Sequence, residues 1–194
     1  MKSGHRIEVE TGAILVGAAA LLILPLPLLL SFLLAAVIHE WCHYAALWMM
    51  GVNVYKITVG CNGASMETEY MEPGREVVCA LAGPMGSFLL AAGYRIFPQL
   101  AVYGLIQGCF NLLPVYPLDG GRVLKGILEI LRIPARERIV TFFRCLAGIG
   151  IGWGCIHGLK YWNLGYGILF LGGVLLLRIF PRKTPCKDAF FGVQ

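Results

Sequence analysis

The chain has 194 residues, of which 58% are hydrophobic and only 14% charged, a composition that excludes an ordinary soluble domain and reads as a one-domain integral membrane protein. Its net charge of +5 does not point to nucleic acid, because the 16 Lys and Arg residues are spread over connecting segments and not gathered on one face. Seven cysteines (Cys42, Cys61, Cys79, Cys109, Cys145, Cys155, Cys186), an odd number lying mostly in apolar segments without a Cys-x-x-Cys pair, argue against a disulfide framework.

Residues 1–10 are polar, and the alternation Arg6-Ile7-Glu8-Val9-Glu10 reads as a short surface strand. The apolar stretch that follows runs on to Met50, too long for a secretory signal, and is expected to stay as a membrane anchor. A span needs about 20 residues, so this stretch holds two, at about 10–25 and 28–50, with Pro25-Leu26-Pro27 as the turn between them.

The second of these helices carries His39-Glu40-Trp41-Cys42-His43. Positions four apart lie on one helix face, so His39 and His43 can offer two imidazole nitrogens to one metal ion. A carboxylate beside such a site, here Glu40, can take the proton of an attacking water and pass it to a leaving amine. A chance match would suit a solvated helix, but these residues are flanked by Leu, Ala, Val, Ile, Trp and Met, where ionisable groups are costly and mark function. The pattern points to zinc hydrolysis. Cys42 lies about 100° around the helix from His43 and is not expected to share the metal.

Residues 51–70 change character, with alternating β-formers on both sides of Asn62-Gly63 predicting a hairpin. Two readings stand for it: a strand edge that binds an extended peptide through its main chain, or a plain connector. A third span is expected at about 76–95; its Ala82-Gly83-Pro84-Met85-Gly86-Ser87 run is accounted for by close helix packing alone. A fourth, at about 99–113, leads into Asn111-Leu112-Leu113-Pro114-Val115-Tyr116-Pro117-Leu118-Asp119-Gly120-Gly121. Irregular backbone near membrane depth is tolerated only when buried in protein or lining a cavity. Asp119 is then the natural third ligand, since a catalytic zinc takes three protein ligands and keeps one position open. The alternative is that Asp119 caps a helix beginning at Gly120.

Residues 123–133 read as a surface helix with Lys125, Glu129 and Arg132 on its polar side. Two more spans follow at about 138–158 and 162–180; Arg144 and His157 in the first are expected near an interface or facing the bundle, and are not read as ligands. The fold class is therefore an all-α polytopic membrane protein of about six transmembrane helices, with a small membrane-associated β-hairpin between the second and third, forming one domain over 1–194. With both termini cytoplasmic, 13 of the 16 basic residues fall on the inner side, which also brings His39, His43 and Asp119 to that side.

Taken together, His39-Glu40-x-x-His43, the hairpin, the Ala-Gly-Pro helix and Asn111-x-x-Pro114-x-x-Pro117-Leu118-Asp119-Gly120-Gly121 resemble the site-2 protease family of intramembrane zinc metalloproteases (M50), most of all its stage IV sporulation protein FB subgroup, over about residues 8–180. The resemblance implies one zinc ion held by His39, His43 and Asp119, Glu40 as general base, and Asn111 positioning substrate or assisting the oxyanion. It also implies regulated cleavage of a membrane-associated protein within or near the bilayer, in a bacterial cytoplasmic or forespore-type membrane, with an inhibitory membrane partner as a hypothesis. Two departures stand out. Ser87 occupies a position where the family often has asparagine, and the chain stops at Gln194 without the nucleotide-sensing CBS domain usual in the sporulation members. The rival readings are a metal transporter or sensor, for which the spans offer little of a polar path apart from Arg144, and an inactive membrane-protein binder, which has no need of Glu40.

Overall fold

The computed structural model describes residues 6–23, 25–60, 63–161 and 176. The chain divides into two compact units, residues 1–141 and 142–194. In the first, β1 (Arg6–Val9) leads into α1 (Thr11–Ile23), and a break at Pro25 separates α1 from α2 (Leu26–Met49). Pro27 sits in the first turn of α2, where its missing N–H costs nothing. The helix ends at Gly51, whose φ of 70° lets Gly51 N–H reach Trp48 O and Val52 N–H reach Leu47 O, the paired bonds of a Schellman stop.

Beyond it, β2 (Val54–Gly60) and β3 (Gly63–Thr68) form the expected antiparallel hairpin, and β1 adds to β2 in parallel, giving the order β1-β2-β3. The fold is thus mostly helical with a three-stranded sheet, and the alternation at 6–10 is a strand as read. In register across the three strands, Ile7, Ile57 and Met66 share one face and Glu8, Thr58 and Ser65 the other. Ile57 and Met66 pack on a core of Leu47, Val52, Val54 and Cys79. An irregularity between Val54 and Lys56 lets Val54 and Ile57, an odd number of positions apart, point into that same core.

Next come α3 (Pro73–Leu89), prolonged by a 3₁₀ turn at Leu90–Gly93, α4 (Pro98–Asn111) and α5 (Asp119–Ile130). α5 starts four residues earlier than its sequence pattern indicates and ends in a second Schellman stop, Arg132 N–H to Glu129 O and Ile133 N–H to Leu128 O. Here the left-handed position, φ 53°, is held by an exposed arginine. Arg132→Gly is therefore expected to raise stability in detergent by roughly 0.5–1 kcal/mol, the left-handed penalty less the extra entropy of glycine, read as the shift of a thermal midpoint.

α6 (Arg136–Tyr161) lies mostly in the second unit, where Trp153 and His157 meet edge to face at 6.1 Å. Three described helical stretches, Leu26–Met49, Pro73–Gly93 and Arg136–His157, are long and apolar enough to cross a membrane, and they mark the chain as a membrane protein. α1, with 13 residues, and α4, with 14, fall short of that length. In α4 the reason is local, since the chain leaves the helix after Asn111 to bring Asp119 inward. The span expected at 162–180 lies outside the described residues, residue 176 excepted.

Candidate metal centre

α2 is apolar all round, so its buried face is set by what it carries. Leu29, Ala35, His39, His43 and Leu47 are buried, the last four at four-residue spacing, while Leu30, Leu33, Val37, Trp41 and Trp48 are exposed as lipid-facing residues would be. Both histidines are thus aimed into the protein, 2% and 6% exposed.

α3 runs antiparallel to α2 and meets them with its own stripe at four-residue spacing, Cys79, Gly83 and Ser87. The carbonyl of Cys79 lies 2.8 Å from His43 Nδ1, and Ser87 Oγ lies 2.8 Å from His39 Nδ1. A carbonyl only accepts, so His43 donates through Nδ1 and a neutral ring leaves Nε2 as a bare lone pair. Gly83 lies between the two. A Cβ there would come within 2.8 Å of His39 Nε2 and nearer still to His43 Nε2, so the missing side chain leaves open the space beside both nitrogens.

Asp119 closes the group from α5. Its position follows from Gly120 and Gly121, which lie so close to the 112–116 backbone that a Cβ on Gly120 would strike Leu112 O and one on Gly121 would come within 2.6 Å of Tyr116 Cα. The Leu112–Leu118 turn, which contains a cis Tyr116–Pro117 peptide and buries Val115 and Leu118, is thereby folded against the start of α5. Asp119 is the first residue of that helix, Leu118 occupies the cap position, and no side-chain cap bond is made. The capping alternative is thus replaced by another use of the carboxylate: Oδ2 lies 3.0 Å from His39 Nε2 and 3.2 Å from His43 Nε2. Burial works against its charge, but the two imidazoles bonded to it hold the carboxyl well below the usual carboxylate range.

With His39 Nε2 and His43 Nε2 3.3 Å apart, the three atoms form a triangle with sides of 3.0, 3.2 and 3.3 Å. Ligand bonds of about 2.0–2.1 Å in tetrahedral array put ligand atoms roughly 3.3 Å apart, so the triangle has the size that zinc requires. His43 Nε2 and the carboxylate oxygen also share a contact that calls for a cation between them, a proton or a metal ion. His39, His43 and Asp119 together therefore fit a metal ion.

Asn111, the last residue of α4, is buried with Nδ2 3.4 Å from His39 Nε2. Glu40 is half-buried, next to His39 on α2. Reading 82–87 as packing left Gly83 without a place beside the histidines, and Ser87 was singled out only against the family's asparagine; the available signal was the Cys79/Gly83/Ser87 spacing, the same four-residue step as the two histidines. Cys42 lies off the group, its Sγ against Gly86 at the α2–α3 contact.

Residues 93–149, which contain Asn111 and Asp119, match the family model Peptidase family M50. The chain is 33% identical to sll0528 of Synechocystis sp. over 135 residues, 61% of this chain and 35% of that protein. It is 30% identical to the zinc metalloprotease MJ0392 of Methanocaldococcus jannaschii over 117 residues, 53% of this chain and 34% of that protein. The chain thus spans about a third of the length of the curated relatives it matches. Among solved structures, the Site-2 Protease from Methanocaldococcus jannaschii superposes with a TM-score of 0.64 over 93% of this chain and 92% of that one, at 20% identity, a likeness of fold. These matches support peptidase family M50 and do not extend to the sporulation subgroup.

Proposed function

We propose that this chain is an intramembrane zinc metalloprotease of peptidase family M50, hydrolysing a peptide bond of a membrane-associated protein within or near the bilayer. The observation that carries the reading is the triangle of His39, His43 and Asp119, buried in a protein whose α2 is long and apolar enough to span a membrane. Zinc bound there would supply an activated water near neutral pH and would polarise the scissile carbonyl.

The protein's own groups do the rest. His39, His43 and Asp119 would hold the ion; Glu40, one residue from a ligand, would take a proton from the attacking water and hand it to the leaving amine. Asn111 brings an amide donor to the same side of His39 and positions the substrate carbonyl or its oxyanion. A helical substrate must unwind before attack. In the described sheet β2 is paired on both sides, which leaves the outer edges of β1 and β3 to hold an extended segment. Six spans, cytoplasmic termini and kinship with the stage IV sporulation protein FB subgroup, with an inhibitory membrane partner, belong to the same reading.

The test is purification of wild type and Asp119→Ala from membranes, with zinc content measured beside cleavage of co-expressed, tagged single-span substrates. Wild type is expected to carry close to one zinc per chain and to yield a product; Asp119→Ala is expected to lose both. Full zinc and undiminished cleavage in Asp119→Ala would remove the carboxylate from the site.

A further inference from the structure

Ser87 is completely buried, and its hydroxyl lies 2.8 Å from His39 Nδ1. A hydroxyl can donate or accept, so the distance alone leaves the ring tautomer open. The other side of the ring decides it once a metal is bound. Nε2 faces Asp119 Oδ2 at 3.0 Å and His43 Nε2 at 3.3 Å, and it can ligate an ion between them only through its lone pair. The proton of the neutral ligating ring then sits on Nδ1, and Ser87 Oγ accepts it.

We propose that Ser87 is a positioning residue for the metal centre: by accepting the Nδ1 proton of His39 it fixes the tautomer and the ring plane that turn the Nε2 lone pair toward Asp119 and His43. The inference rests on the reading of His39 as a metal ligand. His43 receives the same service from the Cys79 main chain, which no substitution can remove. Ser87 is the counterpart supplied by a side chain, and so the point at which sequence can tune the affinity of the site. Its environment is built to hold it: a Cβ on Gly104 would come within 2.8 Å of Ser87 O, and one on Gly108 within 3.2 Å of Ser87 Cβ, so α4 closes over the residue through two glycines. Partners of this kind on a ligating histidine typically change metal affinity by about 10–100-fold.

The experiment compares full-length wild type, Ser87→Ala and Ser87→Thr in detergent. Zn²⁺ affinity is read by chelator competition, the ligand field by the visible spectrum of the Co²⁺-loaded protein, and folding by the thermal midpoint of the metal-free form. Ser87→Ala is expected to bind Zn²⁺ about 10–100-fold more weakly and to change the Co²⁺ spectrum, with a metal-free midpoint close to wild type. Ser87→Thr, which keeps the hydroxyl, is expected to recover most of the affinity. Equal affinity and an unchanged spectrum in Ser87→Ala would overturn the assignment and leave the metal centre standing. A loss that Ser87→Thr does not recover would assign the effect to packing and overturn it too. A wild-type chain that takes up neither Zn²⁺ nor Co²⁺ would instead overturn the metal reading, and the role of Ser87 with it.

Discussion

Glu40→Gln is expected to purify with as much zinc as the wild-type chain and to cleave its substrate about 10²–10⁴-fold more slowly, the usual contribution of a positioned general base. The substitution keeps the length and shape of a half-buried side chain on α2 and leaves the proposed ligand atoms of His39, His43 and Asp119 in place. What it removes is the ability to take up and release a proton. The zinc measurement is therefore the control that separates this effect from collapse of the site. Product from a co-expressed single-span substrate, followed over time by immunoblot, supplies the rate. Wild-type cleavage in the zinc-loaded Gln variant would take the base role away from Glu40.

A second large effect is expected from a residue with no side chain. Gly83→Ala should lower zinc affinity by about 10–100-fold, the usual cost of disturbing what orients a metal-ligating histidine, because the new methyl cannot be seated without moving one of the two rings. It would lie 2.8 Å from His39 Nε2 and 2.6 Å from His43 Cε1, distances that real Cβ contacts do not reach. Helix preference acts in the opposite direction, since alanine is favoured over glycine inside a helix by about 1 kcal/mol. Gly74, on the same helix but with nothing within 4 Å of an added methyl, is the control: Gly74→Ala should leave zinc binding unchanged. Equilibrium dialysis against radioactive zinc reads both. A Gly83→Ala chain that binds as tightly as wild type would mean that the two rings are not fixed as described.

How much of this was legible beforehand depends on the range of the interactions involved. His39 and His43 could be paired from sequence because a helix sets their spacing locally, and the apolar flanks made their charge informative. The hairpin was legible from Asn62-Gly63 between alternating strands, and the strand at 6–9 from its alternation. Its partner was not. Parallel pairing of Ile7 with Ile57 joins segments separated by two helices, and no local pattern records that. Asp119 was legible as a ligand or as a cap, and only the packing of Gly120 and Gly121 on the preceding turn shows which way its carboxylate faces. Ser87 was visible as a small residue near a proline that stands where the family often has asparagine; its bond to His39 depends on the α2–α3 approach, which sequence spacing hints at and cannot measure.

The separation of the donors along the chain also sets an order of events. The two histidines become neighbours as soon as α2 winds, but the oxygen of Asp119 comes from 76 residues beyond His43. At synthesis rates of about 5–20 residues per second, roughly 4–15 s pass between the two, and α3 must be in place before the triangle can close. Throughout that interval the nascent chain exposes an incomplete, two-point binder. On the proposed reading, the metal centre of a protease is thereby left incomplete until the start of α5 has been made, after α2, α3 and α4.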